Sequence, residues 1–132
     1  MDALCRFRGW FLAAAIYNAV WGLWVSAWPE HLFQLIGMPV PTPVSLWQCV
    51  GMLVGLYGDA YGLVYLDPKR YGAFALIGFA GKILGPLGFI FAGSRGELPW
   101  AFGWVNVVND LVWLPAFAFF SLIWIKLERE GN

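Results

Sequence analysis

An all-α, four-helix transmembrane bundle with both termini cytoplasmic is the architecture this sequence predicts. Three observations lead there. Four apolar segments each approach the ~20 residues needed to cross a bilayer. Positive charges sort to one side of those segments. Each segment also carries a polar group near its middle. The chain has 132 residues, 61% hydrophobic and only 12% charged. Soluble domains average about 45–50% apolar and about 25% charged residues. The excess here exceeds what a soluble core of this size needs, so one membrane domain spanning 1–132 is the expectation.

The spans are expected at residues 9–28, 45–66, 71–92 and 101–125. The connections between them hold the turn residues Pro29, Pro39, Pro41, Pro43, Asp67-Pro68 and Pro99. Trp10, Trp28, Trp47, Trp100, Trp104 and Trp124 fall near span ends, where indoles anchor at the membrane interface. Trp21 and Trp113 lie deeper and are candidates to line a cavity.

Arg6 and Arg8 precede the first span, Lys69 and Arg70 separate the second and third, and Lys126 and Arg129 follow the fourth. The two remaining loops hold only Arg95. That asymmetry places both termini and the middle loop in the cytoplasm, and the protein as a multi-pass protein of the inner (cytoplasmic) membrane. Arg6, Arg8 and Val25-Ser26-Ala27 loosely imitate a signal peptide. The long first span, with Asn18 and the three tryptophans Trp10, Trp21 and Trp24 ahead of that site, argues for retention. In the first external loop, residues 30–36 suit a short interfacial helix with Leu32, Phe33, Leu35 and Ile36 toward lipid.

Candidate functional residues come from the mid-membrane level. Asn18, Asp59, Lys82 and Asp110 sit one per span, each within roughly 6 Å of the midplane at ~1.5 Å per residue. Charges there are expensive and mark sites by default. One central cluster of the four is the simplest arrangement. Gly55-x-x-Gly58-Asp59-x-x-Gly62 matches Gly78-x-x-Gly81-Lys82-x-x-Gly85. Two glycine-lined spans could approach closely and pair Asp59 with Lys82. Pro86 frees the carbonyl of Lys82 and Pro115 that of Leu111. Asn106, Asn109, Asp110 and Trp113 form a polar stripe on the fourth span, and Gln48, Tyr17, Tyr57 and Tyr61 could extend it. Two carboxylates and one ammonium sum to minus one, so a bound proton or an external cation should complete the cluster. Asp110, the unbalanced charge, is the leading candidate for a proton, cation or catalytic site.

Several function classes drop out. Net charge is zero, so nothing favours nucleic acid as a partner. Two cysteines on opposite sides, Cys5 and Cys49, and one histidine, His31, make no metal site, and no cofactor motif occurs. Three classes remain. The bundle binds or passes a small lipophilic or cationic ligand, with possible proton coupling. It is an acid–base enzyme of isomerase type on a lipophilic substrate, with Asp110 as acid or base and Trp113 facing a cationic intermediate. Or it is an accessory subunit. The bilayer is a partner in every case, and a homo-oligomer suits so short a chain.

The segments Tyr17–Gly22 (YNAVWG), Trp47–Met52 (WQCVGM), Gly81–Phe89 (GKILGPLGF) and Asn109–Phe117 (NDLVWLPAF) resemble a family of small bacterial four-span membrane proteins. The size and topology are similar to those of DoxX-like proteins. The resemblance implies the fold and no activity. Sterol-isomerase-like four-helix domains are a more distant analogy, similar only in the residue types Asn109, Asp110 and Trp113.

Overall fold

The structure is a computed structural model and describes residues 2–131. It is all-helical, with no strand among the described residues. Four helices are long and apolar enough to cross a membrane: Ala3–Ala27, Val44–Leu66, Gly72–Ser94 and Trp100–Gly131. The protein is therefore a multi-pass four-helix membrane bundle. Leu23, Leu56, Leu84, Leu87, Phe91 and Phe119 stand exposed around its outside, where lipid replaces water.

The chain begins with α1 (Asp2–Cys5) and α2 (Arg8–Ala27). The turn between them drops Leu4 into the aromatic core beside Phe120. A short helix, α3 (His31–Ile36), follows Pro29. It ends at Gly37, whose φ of 67° suits a residue without Cβ. The N–H of Met38 then closes on the carbonyl of Phe33 at 2.9 Å. The prolines up to Pro43 carry the chain to α4 (Val44–Leu66). At Asp67-Pro68 the Asp67 carboxylate accepts the N–H of Arg70, and α5 (Gly72–Ser94) returns with Pro86 inside it. The fourth span is composite: a 3-10 turn at Trp100–Phe102, α6 (Gly103–Asn106), a π turn at Val107–Leu111, and α7 (Leu114–Gly131).

Small residues set the closest approach, which is between α2 and α4. A Cβ on Gly22 would fall 2.6 Å from the Gly51 carbonyl oxygen and 2.9 Å from the Gly55 backbone. One on Gly58 would meet the Ala15 carbonyl oxygen at 2.9 Å. The glycine frame of α4 therefore faces α2, not α5 as its match with the third span suggested. The bundle is closed at one end by aromatic rings. Phe11 packs on Phe117 and Phe120 at centroid distances of 4.8 and 4.7 Å, and Tyr61 packs on Phe117 at 4.8 Å.

That end also collects the positive charge. The Arg8 guanidinium donates to the Tyr65 carbonyl at 2.7 Å, and the Trp124 indole donates to the Lys69 carbonyl at 2.9 Å. At the opposite end α3 departs from expectation. Phe33 is not turned to lipid. It is 1% exposed and packs on Trp47 at 5.0 Å, because the turn at Gly37 folds α3 back over the mouth of the bundle. Trp47 is correspondingly no interface anchor. It is held between Phe33, Trp21 and Phe102.

Candidate functional site in the bilayer core

The site is built around the π turn of the fourth span. In an α-helix the carbonyl of residue i accepts from the N–H of residue i+4. Here the N–H of Val112 reaches back to Val107 at 3.1 Å, and that of Trp113 donates to Asp110 at 3.1 Å. The carbonyls of Val108 and Asn109 consequently lose their helical partners. Side chains replace them. The Trp113 indole donates to Val108 O at 2.9 Å, and Lys82 Nζ donates to Asn109 O at 2.7 Å. Pro115 removes a further donor one turn on. Such π turns inside α-helices recur at functional sites.

Lys82 is 4% exposed, and its ammonium also lies 5.1 Å from the Phe117 ring centroid and 5.7 Å from that of Tyr61. Both distances fall within cation–π range. Gly85, one turn along α5, makes room for Asp110. A Cβ there would sit 2.6 Å from Asp110 Oδ2 and 3.6 Å from Asn106 Oδ1. Lys82 and Asp110 do not form a closed ion pair. Their charged atoms are more than 4.0 Å apart, and among the described residues no donor reaches the Asp110 carboxylate.

Between these groups lies a cavity of about 350 Å³. Lys82, Asp110, Asn109 and Asn18 supply its polar surface, and Trp21, Trp47, Val50, Val54, Tyr57, Tyr61 and Phe102 its walls. The rings of Tyr61 and Phe117 close the end toward the positive charges, and Trp47, Phe33 and Phe102 close the other. Its open side lies between α4 and α5, where Val50, Tyr57, Gly81 and Gly85 are exposed. The cavity thus opens on the flank of the bundle, between two helices long and apolar enough to cross a membrane.

Of the residues expected to cluster, Asn18, Lys82, Asn109 and Asp110 meet here. Asn18 Nδ2 donates to the Val54 carbonyl at 3.3 Å, tying α2 to α4 at the cavity wall. Asn109 Oδ1 accepts from the Tyr17 hydroxyl, so Tyr17 stands behind the cavity rather than in it. Asn106 is buried beside Asp110, outside the lining, and its Nδ2 has no partner. Gln48 donates to the Ser26 carbonyl at 2.9 Å, away from the site.

Two expectations are overturned. Asp59 does not join the cluster and does not pair with Lys82. It is exposed on the outer surface, in a shallow groove with Ala15, Ala19, Gly58 and Gly62. The reason is angular. Successive helical residues are ~100° apart, so with Gly58 seated on α2 the cavity residue Tyr57 and the outward residue Asp59 point about 160° apart. Trp113 is buried but faces Tyr17 and Trp10, with ring centroids at 5.4 and 6.2 Å, and not the cavity. Its indole N–H is taken by the π turn. Without Asp59 the charges at the cavity sum to zero, and the need for a completing cation disappears.

No protein-family model, curated protein or solved structure matches the chain.

The π turn is not among the expectations from sequence, although Asn109 and Asp110, six and five residues before Pro115, are a signal for a helix irregularity. The roles of Trp47 and Phe102 had no local signal. They arise from α3 folding back.

Proposed function

We propose that this protein binds a small lipophilic molecule, which enters from the bilayer between α4 and α5 and rests in the cavity beside Lys82 and Asp110. The observation that carries the proposal is the make-up of the cavity: apolar walls, convergent polar groups, aromatic rings packed at both ends and exposed lining residues between α4 and α5. Those rings favour binding over passage of a solute across the membrane. The positive end carrying Arg6, Arg8, Lys69, Arg70, Lys126 and Arg129 faces the cytoplasm, in the inner membrane of a bacterium. In architecture this agrees with the resemblance to small bacterial four-span proteins.

The test is native mass spectrometry of the gently extracted protein beside Gly81→Leu. Gly81 lines the cavity and is exposed at its open side, and a Cβ there meets nothing within 4 Å, so a leucine is expected to crowd the opening. The wild type should retain a lipophile and the variant should lose it. Identical retained species in both would overturn the proposal.

A second reading follows from the Asp110 carboxylate, which borders the cavity with no donor upon it. A free carboxylate against a lipophilic guest is the arrangement an acid–base isomerase requires. Loss of substrate turnover with retained binding in Asp110→Asn would distinguish this reading from binding alone. Asp59 bears on association. A carboxylate facing lipid at mid-span is costly, which supports a second membrane chain, in a homo-oligomer or larger complex, covering that groove.

A further inference from the structure

We infer that the polar group of the guest is a neutral hydroxyl, not a charged head; this rests on the lipophile-binding reading above. Lys82 and Asp110 are the charged side chains that border the cavity, and their formal charges cancel. A guest bearing net charge would leave one charge uncompensated at mid-membrane depth, where it is expensive. The site therefore discriminates against carboxylate, phosphate and ammonium heads alike.

The hydrogen-bonding inventory narrows the choice. An ammonium offers three donors and no acceptor. Lys82 gives one to Asn109 O, which leaves two. An ionised carboxylate only accepts, and no described donor occupies Asp110. Free donors and free acceptors thus border one space, and the two groups, more than 4.0 Å apart, do not satisfy each other directly. A hydroxyl oxygen accepts from Lys82 while its proton is donated to Asp110. An ether or ketone leaves Asp110 bare, and a buried charged group without a partner is costly. Trp21, Trp47, Val54 and Phe102 receive the hydrocarbon next to the hydroxyl. The volume is near the lower end of the ~300–1,000 Å³ typical of ligand pockets. A longer chain continues through the opening between α4 and α5 into lipid.

The test uses four probes that differ only at the head: hexadecanol, its methyl ether, hexadecanoate and hexadecylammonium. Each is titrated into the full-length protein in phosphatidylcholine nanodiscs, and binding is read by native mass spectrometry. Hexadecanol should bind about tenfold or more tightly than the other three, the scale of one unsatisfied polar group. The charge-neutral double variant Lys82→Met/Asp110→Leu should lose that preference and bind the ether at least as well as the alcohol. Tightest binding by either charged probe overturns the inference, as does an unchanged alcohol preference in the double variant. If all four bind equally to the wild type and none to Gly81→Leu, the hydroxyl inference fails while the cavity reading survives. Binding that persists unchanged in Gly81→Leu, or no binding of any probe, sinks both.

Discussion

Replacing Lys82 by Met removes the ammonium, keeps most of the side-chain volume and leaves two groups without their partner. The Asn109 carbonyl loses a charge-assisted bond of 2.7 Å, a loss of about 1.5–3 kcal/mol. Asp110 loses the cation that shares its cavity. Because the two charges are more than 4.0 Å apart, their attraction lies below the ~4 kcal/mol expected at 4 Å with an effective dielectric of about 20. A coupling of roughly 1–3 kcal/mol is the scale measured for residues that share such a network. Lys82→Met should therefore cost about 3–6 kcal/mol, of which the ~1–3 kcal/mol that arises from Asp110 should be relieved when Asp110→Asn is added. Asp59 lies across the width of α4 from the cavity, about 10 Å of helix. The Lys82→Met/Asp59→Asn pair should be additive within about 0.5 kcal/mol. Equilibrium unfolding in lipid bicelles, followed for the wild type, three single variants and two doubles, gives both couplings. A large coupling to Asp59 with none to Asp110 would refute the placement of Asp59 outside the site and the pairing argued for Lys82.

Further outcomes test the packing and the surface. Gly22→Ala should destabilise by about 1–3 kcal/mol, the usual cost of overpacking, because its Cβ meets backbone atoms of Gly51 and Gly55 that cannot step aside. Gly81→Ala, with open space around it, should instead stabilise by up to about 1 kcal/mol through helix propensity; thermal unfolding of the two side by side checks the contrast. Trp113→Phe keeps the ring but removes the indole donor to Val108 O, so it should cost about 1–3 kcal/mol and raise hydrogen exchange in the π turn. Asp59→Leu should weaken association with whichever chain covers the groove of Ala15, Ala19 and Gly62, read as a shift toward monomer in single-molecule photobleaching. A stabilised protein with unchanged stoichiometry would show that lipid alone covers that face.

The membrane class, the four spans and the sorting of charge were legible because they depend on composition and length, which lipid enforces locally. The ends differ from expectation by one or two residues, except that the first helix starts six residues earlier, at Ala3, and the fourth runs six residues further, to Gly131. Position along the helices was legible as well. Asn18, Lys82 and Asp110 border one cavity, since helical rise converts sequence position into distance along the span. Azimuth was not. Gly55-x-x-Gly58-Asp59-x-x-Gly62 and its counterpart in α5 are the same pattern, yet one docks on α2 and the other opens on the cavity. Which partner a glycine face selects depends on the opposing helix, here Gly22 with Ala15 and Ala19.

By itself, then, the sequence determined that this is a four-span membrane protein with polar groups at mid-depth and a glycine-lined third span around Lys82. The tertiary structure decided which of those groups meet. Docking α4 on α2 turned Asp59 outward by rotation alone. The π turn left the Asn109 carbonyl for Lys82, and α3 folding back placed Phe33 and Trp47 over one end of the cavity. Those are relations between helices, set by packing at long range, and no local spacing encodes them.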